Sequence, residues 1–214
     1  MNSKWKILGV LAVVALAAGA TVASIVRASA PEFHVESAPA TLTGSPAAGS
    51  ENYMKFGEVK LKCSTEASTG TLSSTTSTTL TVATTYSGCL LAGKAAELKM
   101  NGCQYVSHLE AGSSPPAGTV TISCTGENVP VITQPPNCEM KMEPNGIGDP
   151  KLTLKNTSGP PADIDRIVTV TKLPYTVKNC PFIKDGTYTN GEIINTETLK
   201  ADKAGGGAQG MSVE

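Results

Sequence analysis

Cysteines at positions 63, 89, 103, 124, 138 and 180 constrain this chain more than anything else in it, because most of them open or close a run of alternating residues. "GEVKLKC" places Val59, Leu61 and Cys63 on one face, with lysines between them. "CQYVSHL" aligns Cys103, Tyr105 and Leu109, "GTVTISC" aligns Val120, Ile122 and Cys124, and "CEMKM" aligns Cys138, Met140 and Met142. Period-two alternation rich in Val, Ile and Thr marks half-buried strands, with the sulfurs on the apolar faces. "RIVTVTKLPYTV" adds a further β-branched run, and turn chemistry punctuates the series at "NG" 101–102, "SSPPAG", "PPN", "EPNGIGDP", "SGPP", "DG" 185–186 and "NG" 190–191. No stretch after residue 30 sustains a helical stripe; "GKAAELKM" is read as one or two helical turns. Many short strands with turns between them predict an all-β fold, an antiparallel β-sandwich of jelly-roll or immunoglobulin-like type stapled by disulfides.

The sulfurs are read as staples. A zinc site shows ligands in close pairs such as C-x-x-C, which this sequence lacks, and its only histidines are His34 and His108. A catalytic thiol needs a thiolate and a base, whereas an even count of cysteines in an exported chain predicts disulfides. Six cysteines allow fifteen pairings. Cys124 and Cys138 bracket a short segment with proline turns, and Cys63 and Cys89 bracket a threonine-rich run that lacks apolar anchors. The expected set is therefore Cys63–Cys89, Cys124–Cys138 and Cys103–Cys180, with Cys103–Cys124 across a hairpin as the rival.

Residues 1–30 differ in kind from the rest. A basic start, "MNSKWK", precedes an uncharged run over residues 7–26 and the small-residue site "ASA" at 28–30, the pattern of a secretory signal. Cleavage is expected after Ala30, or alternatively after Ala23; an uncleaved N-terminal anchor is the competing reading. Loss of Lys4, Lys6 and Arg27 moves the formal charge from −1 to −4, fourteen basic against eighteen acidic residues. A mildly acidic chain without a basic block is not built to bind nucleic acid or anionic lipid. The expected organisation is a signal at 1–30, a β domain at 31–200 and a glycine-rich tail at 201–214 whose last residues can form an edge strand.

The low-complexity stretch "TGTLSSTTSTTLTVATTYSG" at 69–88 reads as a twisted surface strand. A flat threonine array for ice or carbohydrate would need the motif on several stacked strands, and the low-complexity run occurs once. Asp149, Asp163 and Asp165 beside proline-rich turns are solvated turn formers before they are a calcium loop. "NTS" at 156–158 matches a glycosylation acceptor. The sequence contains no G-x-S-x-G elbow, H-E-x-x-H, P-loop or dinucleotide fingerprint. No catalytic, cofactor-binding or metal-ligating residue is therefore assigned.

The segments "EFHVES" at 32–37, "YSGC" at 86–89, "NGCQY" at 101–105, "ISC" at 122–124 and "CEMKM" at 138–142 resemble a group of small exported bacterial proteins of unknown function with a six-cysteine all-β domain. The likeness covers most of residues 32–195 and implies a fold and export but no activity. The expectation is a secreted or cell-surface binding or structural module, not an enzyme, with an extracellular or cell-wall ligand. A secreted hydrolase or enzyme inhibitor using loop carboxylates is the alternative.

Overall fold

The computed structural model describes residues 30–143 and 148–214, so the expected signal at 1–30, its last residue excepted, and part of the "EPNGIGDP" turn lie outside the described residues. The N-terminal half contains β1 (Phe33–Val35), β2 (Ala40–Pro46), β3 (Tyr53–Phe56), β4 (Val59–Leu72), β5 (Thr76–Ser77), β6 (Thr79–Leu91), β7 (Lys94–Lys99) and β8 (Gln104–Glu110). It is followed by β9 (Ala117–Ser123), β10 (Val131–Gln134), β11 (Cys138–Met142), β12 (Asp149–Asn156), β13 (Ile164–Lys178), β14 (Gly186–Lys203), β15 (Ala208–Gln209) and β16 (Met211–Val213). The described residues contain no helix, and "GKAAELKM" is not helical: it forms β7, paired with β6 and β10. Its alanines are poor strand formers, but the cross-strand partners decide the outcome.

The all-β, antiparallel, disulfide-stapled class is as the alternation implies. The two independent sheets of a sandwich are not present, because the ladders close on themselves. One circuit runs β14–β2–β4–β6–β8–β9–β12–β13 and returns to β14. A second runs β14–β3–β4–β6–β7–β10–β11–β13 and also returns. The four long strands β4, β6, β13 and β14 belong to both circuits, and each remaining wall position is filled by two short strands end to end. The result is a barrel of two stacked rings, and closure removes the free edges of the wall.

Long strands cannot keep one face inward over such a length without a correction. β4 and β6 both switch the parity of their inward residues near Ser64 and Gly88: Leu61 and Leu91 point in below, Glu66, Ser68, Val82 and Thr84 above. Gly88 has φ +59°, and a Cβ there would lie 2.1 Å from Ser64 Oγ, so only glycine fits this kink. β13 makes the same switch between Val170 and Leu173, with Lys172 at φ 58°. The lower ring is filled by side chains such as Met54, Leu91, Ile132 and Met140, and by Phe56 edge-on to Tyr175 at 5.0 Å. Outward positions are threonines, lysines and acids, with Leu90 the one large exposed hydrophobic among the described residues, the inverse of a membrane barrel's apolar outer band.

A small sheet, β16–β1–β5, lies outside the wall's circuits and contributes Phe33, Val35, Met211 and Val213 to the core. The segment 201–214 is therefore structural: β14 continues to Lys203, the glycines turn the chain, and β16 is an edge strand on β1.

Strand pairing also decides the sulfurs. Cys63 and Cys89 sit directly opposite each other on β4 and β6 and are joined. The expected Cys124–Cys138 and Cys103–Cys180 bridges do not form. The structure joins Cys103 to Cys124, one residue beyond the last β8–β9 pair, and Cys138 to Cys180, across the end of the β11–β13 ladder. Cys124 and Cys138 are close in sequence but belong to different rings. Non-reducing peptide mapping is expected to recover Cys138 linked to Cys180, and a Cys124–Cys138 peptide would contradict this topology. Loop-closure entropy ranks the Cys138–Cys180 bridge, with a sequence separation of 42, above Cys103–Cys124 with 21. Its removal by paired Ala substitution should cost about 4 kcal/mol against about 3 kcal/mol, read by denaturant unfolding.

Candidate functional site

Between the apolar fillings of the two rings lies a belt of buried polar side chains. Arg166 on β13 and Glu197 on β14 are cross-strand partners, 2 % and 0 % exposed. The Arg166 Nε donates to Glu197 Oε1 at 2.7 Å, and its Nη1 donates to Ser107 Oγ at 3.1 Å. Ser68 Oγ donates to the other Glu197 oxygen at 2.6 Å and meets Thr84 Oγ1 at 2.8 Å. The guanidinium carbon also lies 5.8 Å from the Tyr105 ring centroid. Gly44 faces this group; a Cβ there would lie 3.0 Å from Glu197 Oε2 and 2.8 Å from Leu199.

A second carboxyl, Glu66, sits at the waist, where β2 has ended and β3 has not begun. Asn52, in the intervening loop, donates Nδ2 to Glu66 Oε2 at 3.0 Å while its Oδ1 accepts from the Thr196 amide. Asn195 Nδ2 donates to Glu66 Oε1. The Asn195 Oδ1 is buried without a protein partner and borders, with Glu66 and Tyr86, a cavity of about 20 Å³. That is room for one water. Burial raises the Glu66 pKa, and the nearby Glu197 charge adds to the rise against the two amide hydrogen bonds. Tyr86 and Tyr105 share a 3.0 Å hydroxyl contact; burial pushes Tyr86 well above its usual value and Tyr105 up to about 12. The belt is a hydrogen-bonded electrostatic core, with Asn195 Oδ1 its one unpartnered atom, around one acid held toward its neutral form.

The sequence candidates fall elsewhere. Asp149 pairs with Lys172 at 2.7 Å, Asp163 approaches Lys200 at 4.0 Å, and Asp165 accepts from Thr198 at 2.7 Å, so the three aspartates are not brought to one site. No group of three potential metal ligands occurs among the described residues. Asn156 of the "NTS" triplet both donates to Val213 O and accepts from Val213 N, so its amide fastens β16. His108 is half-buried on the outer wall, 3.3 Å from Thr121 Oγ1. Sequence reading missed Glu66, Arg166 and Glu197. An available signal was a charged residue at an inward position of an alternating run, as in "TEAS" and "IDRIV".

Comparison with protein-family models, with curated proteins and with solved structures finds no match for this chain.

Two outcomes follow from the belt. Arg166→Met leaves Glu197 buried and unpaired, which should cost about 3–5 kcal/mol, and adding Glu197→Gln should recover most of it. An additive double mutant in a denaturant cycle would contradict the pairing. For Glu66, the folded state holds its proton more tightly than the unfolded chain does. The resulting stability is present below the unfolded value and is lost as pH rises through the higher folded value. Glu66→Gln is therefore expected to melt above wild type near pH ~8 and close to it near pH ~4. A lower melting temperature at the alkaline point would mean that the carboxylate itself is stabilising.

Proposed function

We propose that the mature chain is a secreted or cell-surface binding or structural module that acts without catalysis. The supporting observation is where the concave spaces lie. The acid that burial holds above its usual range, Glu66, faces room for about one water, far below the roughly 300–1,000 Å³ of a small-molecule site. Larger depressions lie on the outside of the wall, one of them about 470 Å³. The aspartates weighed as a loop site are engaged separately: Asp149, Asp163 and Asp165 as described, and Asp185 accepting from the Asn179 amide at 2.7 Å. All six cysteines are in disulfides, which suits an oxidising compartment. The resemblance to small exported proteins supports export and adds no activity.

Affinity capture of the mature chain, residues 31–214, against cell-wall fractions and secreted proteins of its host tests this reading. Specific retention without turnover of the retained material is expected. Hydrolysis of that material, abolished by Glu66→Gln, would make the protein an enzyme.

A further inference from the structure

The threonine-rich run is not confined to one strand of the folded wall. T-x-T triplets recur along the wall; some lie at 169–171 on β13 and at 187–189 and 196–198 on β14, while four of them, at 41–43 on β2, 69–71 on β4, 79–81 on β6 and 119–121 on β9, fall on one side. Pairing brings these outward threonines together: Thr41 lies opposite Thr71 and Thr43 opposite Thr69, while Thr81 and Thr121 flank Val106 of β8. The β-sheet repeat sets them about 6.7 Å apart along a strand and about 4.8 Å across neighbours. Residues 63–93 contain one charged side chain, Glu66, and it points inward. β2, residues 104–109 of β8 and β9 contain no Asp, Glu, Lys or Arg. Charges return at the border, with Lys200 opposite Thr43 and Asp202 opposite Thr41.

Two depressions mark this face. One of about 430 Å³ is lined by Thr41, Thr69, Thr71, Thr81, Ala83 and Gln104 among others. The second, about 410 Å³, shares Ala83 and Gln104 and extends past Tyr86 to Met100, with Lys99 its one charged residue. The shared residues make them one elongated trough across β6. Other depressions of similar size carry charge, such as Lys178 and Asp185 or Glu36.

We propose that this trough binds an uncharged polysaccharide chain. The inference rests on the binding-module reading and names its ligand class. A neutral glycan alternates hydroxyls with C–H surfaces, and each threonine side chain offers both a hydroxyl and a methyl, with Gln104 as an amide donor and acceptor. A trough without fixed charge imposes no unpaired ion on such a ligand. A protein partner fits less well, because interfaces enrich aromatic residues and Arg, and a membrane surface would require basic or large apolar side chains.

The test uses residues 31–214 passed over cellulose, cross-linked amylose and a β-1,3-glucan, with polygalacturonate as the charged control. Retention on at least one neutral polymer is expected, unchanged at about 1 M salt. The double variant T71K/T81K should weaken it at least about tenfold, and Thr189→Lys on β14 should leave it intact. Unchanged melting of T71K/T81K separates loss of binding from loss of fold. Retention on none of the three neutral polymers, retention on polygalacturonate alone, or equal retention of T71K/T81K overturns the proposal. Inhibition of ice recrystallisation without glycan retention would reassign the face to ice and likewise overturn it. If wild type and T71K/T81K capture the same host material equally, the glycan trough fails while the binding-module reading stands. Cleavage of captured material removes both.

Discussion

Closure of the hydrogen-bond ladder is the constraint on which the rest of this structure depends. Each of the four long strands has one long neighbour, β4 beside β6 and β13 beside β14, and two short strands laid end to end on its other side. The ladder thereby returns to its start, and the inward face becomes a single enclosed volume. A thin aromatic supply suffices, because leucine, isoleucine, valine and methionine fill two narrow rings and the three disulfides fasten places where ladders bend or end.

The same arrangement explains the polar belt. Where β2 ends and β3 begins, the wall loses its ladder for several residues, and the loop side chain of Asn52 replaces it by binding the Thr196 amide and Glu66 together. Arg166 and Glu197 stand above this gap, bonded to each other and each held by one hydroxyl, Ser107 for Arg166 and Ser68 for Glu197. A buried ion pair is weak evidence for stability, but it penalises a one-residue slip heavily, since a shifted β13 would turn Arg166 outward and leave Glu197 buried without its cation. The pair therefore acts on register more than on net stability.

Alternation made the individual strands legible. The inward sets Tyr105–Leu109, Val120–Ile122 and Met140–Met142 are buried as their period implies. Which strand lies beside which is not written locally, and two readings failed for that one reason. Cys124 and Cys138 are neighbours in sequence but sit in separate rings, and "GKAAELKM" takes its strand form from pairing with β6 and β10. Glu66, Arg166 and Glu197 were hidden differently, since a charged residue in a strand is ordinarily taken as outward.

The pairing of β1 with β16 also bears on the order in which the barrel assembles. Phe33 meets Val213, and the Glu32 and Glu214 backbones bond each other in both directions, so this contact spans nearly the whole described chain. Contacts of such sequence separation form late, because loop-closure entropy opposes them until the intervening chain is organised. While β1 and β5 can pair as soon as residue 77 is made, Phe33 and Val35 must wait for β16 to complete their cover. Formation of the first strand and completion of the core are thus separated in time, and β1 waits longest for its second partner.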